Sequence, residues 1–233
     1  MITRRSQDGR GITAGGWLKS KHSFSFGRYY DPDNMGFGPL RVINEDWIKP
    51  SSGFDTHGHE NMEIITWVLE GAIAHRDSTG NISAITPGEI QLMSAGSGIQ
   101  HSEYNGSQEE ELHLLQIWIM PDETNTPPGY QQRRFAGDEL ENSFRLLVSS
   151  DGAEGSLTMR QDARLFAGRF APAAEVKQNL LPGRKYWLQL ARGEITVNGE
   201  TGVSGDGFAL EGEECLRIKS VSECEILLFE LPE

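Results

Sequence analysis

Two cysteines, Cys215 and Cys224, are all that the chain contains. That is too few for a disulfide framework, and a reducing cytoplasm is the expected compartment. Basic residues are also scarce: 21 Lys and Arg stand against 34 Asp and Glu, a formal net charge of −13. That balance argues against nucleic acid or an anionic membrane surface as a direct partner, because both need clustered positive charge. Apolar runs such as Ile226-Leu227-Leu228-Phe229 are strand-length and far short of a membrane span. The N-terminal residues Met1 to Asp8 carry charge but no apolar stretch, so no secretory signal is expected. Helix-period stretches are missing, and the second half has no histidine beyond His113.

What remains is an all-β pattern. The 233 residues, 27 of them glycine, break into short runs of Val, Ile, Trp, Phe and Leu separated by turn formers. Strands are expected over Leu40–Asn44, Met62–Glu70, Ala72–Asp77, Ile90–Ser94 and Leu112–Met120. A second set falls at Leu146–Ser149, Lys185–Ala191, Glu194–Asn198, Gly207–Leu210 and Glu225–Leu231. Asp77–Asn81 and Asn198-Gly199 read as hairpin turns. The order strand–Gly–strand–turn–strand–Gly occurs once around Gly71 and again around Gly193, which suggests two copies of one double-sheet barrel. The Pro-rich stretch Pro121–Tyr130 reads as the linker, dividing the chain into an N-terminal barrel, 1–125, and a C-terminal barrel, 126–233.

The histidines carry the chemistry. Residues i and i+2 of a strand point to one face. His57 and His59 therefore project together, as do His101 and Glu103, and the 42 residues from His59 to His101 leave room for intervening strands. Either pair alone is more often solvated or packed than ligating; the two together point to three imidazoles and one carboxylate converging on a metal ion. These borderline donors suit Fe, Mn, Co, Ni, Cu or Zn. A structural zinc site would more usually recruit thiolates, and neither cysteine is near in sequence. Four ligands on a six-coordinate ion leave two positions for substrate or O₂, which leans towards oxygenase chemistry. His75 and His113 read as packed or surface histidines, and Met62 as core.

The stretches His57-Gly58-His59-Glu60-Asn61-Met62-Glu63-Ile64 and Met93-Ser94-Ala95-Gly96-Ser97-Gly98-Ile99-Gln100-His101-Ser102-Glu103 resemble the signature of the pirin family of bicupins. So do Phe24-Ser25-Phe26-Gly27-Arg28-Tyr29-Tyr30-Asp31-Pro32 and Leu40-Arg41-Val42-Ile43-Asn44. The resemblance is dense from Gly16 to Met120 and thins beyond. It implies two cupin barrels, with one divalent transition metal, Fe(II) first among the candidates, held by His57, His59, His101 and Glu103. The second barrel would carry no metal site. Bacterial pirins are associated with quercetin 2,3-dioxygenase activity, in which O₂ opens the heterocycle of a flavonol and carbon monoxide leaves. The resemblance then implies a planar aromatic substrate and O₂ as partners. Glu103 would act as both ligand and base, and Phe24 and Phe26 as aromatic walls. Glu63 is a candidate acceptor for a histidine N–H.

Two other readings compete. Eukaryotic members are described as iron-dependent regulators of transcription factors; with a charge of −13 that role would need a protein partner. A sugar-phosphate isomerase would need converging basic residues, and Arg28, Arg41 and Arg76 are the only nearby candidates in sequence. A chain that pairs its own two barrels is expected to be monomeric.

Overall fold

The computed structural model describes residues 1–233, and strands dominate it throughout. In chain order they are β1 (Ile2–Arg5), β2 (Gly11–Gly15), β3 (Leu18–His22), β4 (Leu40–Ile48), β5 (Gly53–His59), β6 (Glu63–Glu70), β7 (Ile73–Asp77), β8 (Ile82–Ile85), β9 (Glu89–Ser94), β10 (Ile99–Asn105), β11 (Leu112–Ile119) and β12 (Gly129–Arg134). There follow β13 (Arg145–Ser149), β14 (Leu157–Thr158), β15 (Arg164–Phe170), β16 (Glu175–Asn179), β17 (Arg184–Arg192), β18 (Glu194–Val197), β19 (Glu200–Val203), β20 (Gly207–Glu211), β21 (Cys215–Ser220) and β22 (Cys224–Pro232). The α-helix is a single turn, Gly137–Leu140. No helix is long and apolar enough to cross a membrane.

The expected all-β fold with two cupin-type barrels is what the chain adopts. One unit comprises Gly11–Phe135 and Met159–Gln161; the other comprises Met1–Arg10, Ala136–Thr158 and Asp162–Glu233. Each is a seven-stranded sheet facing a four-stranded one. In the first the orders are β12-β9-β6-β11-β4-β3-β2 and β5-β10-β7-β8; in the second they are β1-β20-β17-β22-β15-β13-β14 and β16-β21-β18-β19. This division differs from a cut at 125/126 in three places, the short stretch Met159–Gln161 among them. The stretch 126–135 contributes β12, which pairs with β9 of the first barrel. The first ten residues contribute β1, which pairs with β20 of the second. Each added strand occupies the same edge of its own sheet, so the N-terminal segment completes the C-terminal barrel. Asn198 (φ 47°) and Gly199 (φ 96°) form the left-handed pair of a two-residue hairpin between β18 and β19, as their sequence demands.

Cross-strand register shows how one barrel was adapted for chemistry. Gly71 and Gly193 sit at equivalent bends that carry the chain from the large sheet to the small one, β6 to β7 and β17 to β18, both at positive φ, and they align the two copies. Across the first barrel's large sheet runs an inward row His22–Asn44–Gln116–Thr66–Gln91, every member buried. The equivalent row of the second barrel is Leu146–Phe166–Leu228–Leu188–Phe208. The second row thus carries side chains that need no partner, and Leu228, Leu188 and Phe208, with Phe166 packed against them, belong to that barrel's apolar core. The first pairs a polar row with apolar clusters in the rows on either side, Ile48, Val68 and Leu112 on one and Ile64 and Met93 on the other. Buried polar groups are costly unless hydrogen-bonded, so the facing sheet must supply partners.

Candidate metal centre and substrate cavity

The facing sheet supplies them from β5, β10 and β7. Antiparallel pairing sets His101 opposite His57 and Ile99 opposite His59, and on the other side sets Glu103 opposite His75. Between His101 and Glu103 the register with β5 slips, so that Glu103 faces Phe54. Such irregularities re-aim side chains next to functional sites. Gly53 permits the close approach of the two strands, since a Cβ there would lie 2.2 Å from the backbone oxygen of Glu103.

The three imidazoles meet. Ring centroids are 4.4 Å apart for His57 and His101, 4.8 Å for His57 and His59, and 4.9 Å for His59 and His101. His57 Nδ1 donates to the backbone oxygen of Asp55 at 2.7 Å, which turns its Nε2 inward to lie 3.0 Å from His101 Nε2. Two nitrogens each about 2.1 Å from one ion at a right angle stand about 3.0 Å apart. Burial, with the neighbouring His57, lowers His59 to about 4; burial, with His57 and His59 next in order, lowers His101 to about 3. Both rings are therefore neutral at pH 7, with lone pairs available for a cation.

Glu103 is the fourth group. It is 1 % exposed, and Gln116 Nε2 donates to its Oε2 at 2.8 Å. Its Oε1 is buried with no hydrogen-bond partner, as is Nδ1 of His101. An unpartnered carboxylate oxygen grouped with His101, which itself clusters with His57 and His59, gives a donor set that fits a divalent cation. Burial raises the Glu103 carboxyl to about 7, opposed by the Gln116 hydrogen bond and assisted by the charge of Asp46. The fold brings His57, His59 and His101 together and sets Glu103 in a second group with His101 and His75.

Other expectations are placed differently. Phe26 lines the cavity and packs edge-on against Trp118, with centroids 5.4 Å apart. Phe24 is buried and is not among the lining residues. Glu63 takes its hydrogen bond from Ser94 Oγ at 2.8 Å and another from the backbone of Arg160, not from a histidine. His113 stacks on Trp47, with centroids 4.5 Å apart, and its Nε2 meets Glu45 at 3.0 Å. His75 is part of the site's frame. Its Nε2 lies 3.1 Å from Asp77 Oδ2, its Nδ1 3.1 Å from Gln91 Nε2, and it falls within one cluster with His101 and Glu103. Both its nitrogens are engaged, so it braces the centre without being free to ligate. The pattern His75-x-Asp77 has the same i, i+2 form as His101-x-Glu103, and was the signal that could have revealed it.

The equivalents of His57, His101, Glu103 and His75 in the second barrel are Gln178, Leu216, Ile218 and Val197, read from the same pairings. None is an imidazole or a carboxylate.

A cavity of about 440 Å³ opens against the centre, within the range of small-molecule sites. His57, His59, Glu103, Gln116 and Trp118 line one part; Phe26, Arg28, Phe54 and Leu18 form walls; Thr13, Ser20, His22, Asn44 and Asp46 complete it. His22 is fixed by Thr13 Oγ1 at 2.8 Å and by Asn44 Oδ1 at 2.7 Å. The half-buried His57 and His59 keep the centre within reach of solvent.

The family model for pirin matches residues 4–119, a stretch that includes His57, His59, His101 and Glu103. The chain belongs to the pirin family. A second model, described as the quercetinase C-terminal cupin domain, matches residues 146–231 of this pirin. The quercetin 2,3-dioxygenase of Escherichia coli (strain K12) is 46 % identical over 232 residues, 100 % of this chain and 99 % of that protein. A pirin-like protein of Caulobacter vibrioides is 40 % identical, covering 98 % of each chain. Among solved structures, the bacterial pirin YhhW from Escherichia coli in complex with nickel(II) superposes with a TM-score of 0.95 at 45 % identity, over 100 % of this chain and 99 % of that one.

Proposed function

We propose that this pirin is a metal-dependent dioxygenase of quercetin-like flavonols, opening the heterocycle with O₂ and releasing carbon monoxide. The observation that carries the reading is the buried Glu103 Oε1, without a partner, grouped with His101, which itself clusters with His57 and His59 against a ligand-sized cavity. His57, His59, His101 and Glu103 would hold one divalent ion, iron(II) first among the candidates. Such an ion supplies Lewis acidity and open coordination positions.

The chain's own residues do the rest. Glu103 Oε1, the carboxylate oxygen that Gln116 leaves open, would accept the proton of the flavonol 3-hydroxyl. Gln116 holds the other oxygen and so fixes the direction in which Oε1 faces. Phe26, Phe54 and Trp118 offer flat apolar surfaces to a planar ring system and limit water around it. Of Arg28, Arg41 and Arg76 only Arg28 lines the cavity, while Arg41 donates to the backbone oxygen of Ser25 at 2.8 Å. A phosphate-bearing substrate finds no converging cations there. Cys215 and Cys224 are free thiols, in keeping with a reducing cytoplasm.

The test is aerobic incubation of iron-loaded protein with quercetin, following loss of flavonol absorbance and carbon monoxide release, against chelator-treated protein. Metal-dependent release of carbon monoxide supports the reading. Inert protein with stoichiometric iron, and likewise with each of the other ions, would sink it and turn attention to a regulatory role through a protein partner.

A further inference from the structure

Arg28 lines the cavity and no other lysine or arginine does, in a chain whose net charge is −13. It is also exposed to solvent, so it stands at the cavity's rim. The backbone that carries it is tied down. Phe26 and Tyr29 exchange two backbone hydrogen bonds, 3.0 and 2.9 Å, across a two-residue turn made of Gly27, at φ +58°, and Arg28. Phe26 packs against Trp118 on one side of the turn, and on the other the Tyr29 hydroxyl donates to Asp31 Oδ2 at 3.0 Å. At the base of the turn the Ser25 hydroxyl and the Asp31 backbone are joined by two hydrogen bonds, 2.8 and 2.9 Å. Arg41 holds the Ser25 oxygen. The Arg28 guanidinium, by contrast, meets no carboxylate, carbonyl or aromatic ring of the protein. Arg145, Arg169 and Arg184 are each engaged by carboxylates, at 3.1, 3.0 and 2.6 Å. The carboxylates of the cavity lining, Asp46 and Glu103, are buried and have partners elsewhere in the protein. A free guanidinium on a fixed turn presents a planar fork of donors that matches a carboxylate.

We propose that Arg28 is the anion-recognition residue of this cavity and takes the carboxylate of an aromatic acid, the class of molecule left when a flavonol ring is opened. The choice of acid rests on the dioxygenase reading; the free cation at the rim does not. Ring opening breaks the two bonds of the hydroxyl-bearing carbon, which leaves as carbon monoxide. O₂ supplies one oxygen to each of the two carbons left behind, so that one becomes an ester carbonyl and the other a carboxylic acid. The 3-hydroxyl proton is released, and the acid is ionised at pH 7. The flavonol brings no such group, so Arg28 distinguishes the opened molecule from the closed one. A hydrogen-bonded charge pair of this kind corresponds to about tenfold in affinity.

The experiment is calorimetric titration, without O₂, of iron-loaded protein with O-benzoylsalicylate, the acid that 3-hydroxyflavone would give, and with the corresponding uncharged primary amide. Arg28→Gln should weaken the carboxylate about tenfold and leave the amide unchanged. Arg28→Lys, which keeps the charge but loses the fork, should recover part of the difference. The same difference should appear in chelator-treated protein, because the guanidinium acts without the ion. Equal binding of the carboxylate by wild type and Arg28→Gln, equal loss of carboxylate and amide in the variant, or no binding of the carboxylate by the wild type overturns the proposal. Turnover of quercetin is measured separately on the same samples. A wild type that releases no carbon monoxide but shows the Arg28-dependent preference defeats the dioxygenase reading and supports Arg28 as the anion-recognition residue.

Discussion

Gln116→Leu tests whether the polar row of the first barrel supports the metal centre. The replacement is close in volume and suits a strand, and at the equivalent position the second barrel already carries Leu228, so the sheet should tolerate it. What it removes is the 2.8 Å hydrogen bond to Glu103 Oε2, leaving a buried carboxylate with neither oxygen partnered by a side chain. A hydrogen bond to a charged group contributes about 1.5–3 kcal/mol, or roughly one to two decades in an equilibrium constant. Groups that orient metal ligands typically cost about 10–100-fold in metal affinity when lost, an independent figure of the same size. The Gln116 bond also opposes the rise of the Glu103 carboxyl, so its loss lets a proton compete better with the ion. Metal affinity should therefore fall about 10–100-fold at pH 7, read by competition with a chromophoric chelator. Circular dichroism and thermal midpoint should show a folded barrel. Unchanged affinity in a folded Gln116→Leu protein would refute the argument that the row holds Glu103 in place.

Glu103→Gln preserves shape but removes the proton acceptor; it should weaken metal binding at least as much as Gln116→Leu, and in samples brought to equal metal content turnover of quercetin should fall about 10²- to 10⁴-fold, measured by absorbance loss. Asp77 accepts hydrogen bonds from the Thr79 and Asn81 backbones at 2.9 and 3.1 Å and faces His75 at 3.1 Å. Burial acts to raise its carboxyl, but hydrogen bonds from Thr79, His75 and Asn81 outweigh that and hold it well below the ordinary carboxylate range. Its stabilisation is therefore present above the unfolded value and lost as pH falls through the depressed one. Asp77→Ala should lower stability by about 2–3 kcal/mol at pH 7, and the gap to wild type should shrink in denaturant titrations taken to low pH. Gly96 has φ +50° and a Cβ there would lie 2.1 Å from the backbone oxygen of Thr126, whereas Gly80, also at positive φ, faces open space. Gly80→Ala should cost about 1 kcal/mol and Gly96→Ala several times that, by the same titration.

The donor set was legible because a strand repeats every two residues: His57 with His59, and His101 with Glu103, announce a shared face without knowledge of their neighbours. The ten strands read from apolar runs all exist, extended by a few residues at some ends, as in β4, which continues to Ile48. What escaped was non-local. β1 and β12 are polar edge strands, and nothing local says that the first strand pairs near the other end of the chain. β15 was missed although Leu165, Ala167 and Phe170 are buried, because its arginines break the apolar run. Gln116, Thr66 and Gln91 sit in different strands far apart in sequence, and only register shows that they form one row facing Glu103 and His75. Phe24 and Phe26 could not be told apart in the sequence, because the segment is an irregular loop without the alternation of a strand, and of the two only Phe26 reaches the cavity.

The most direct check is metal content and turnover measured on the same samples of wild type and His101→Ala, each exposed to iron(II) under anaerobic conditions and then given quercetin and O₂. One ion per chain in the wild type, with carbon monoxide released in proportion to loading and both lost in His101→Ala, is the expected result. Turnover that survives in His101→Ala, or one ion per chain that still binds after His101 is removed, would contradict a centre built on these four residues.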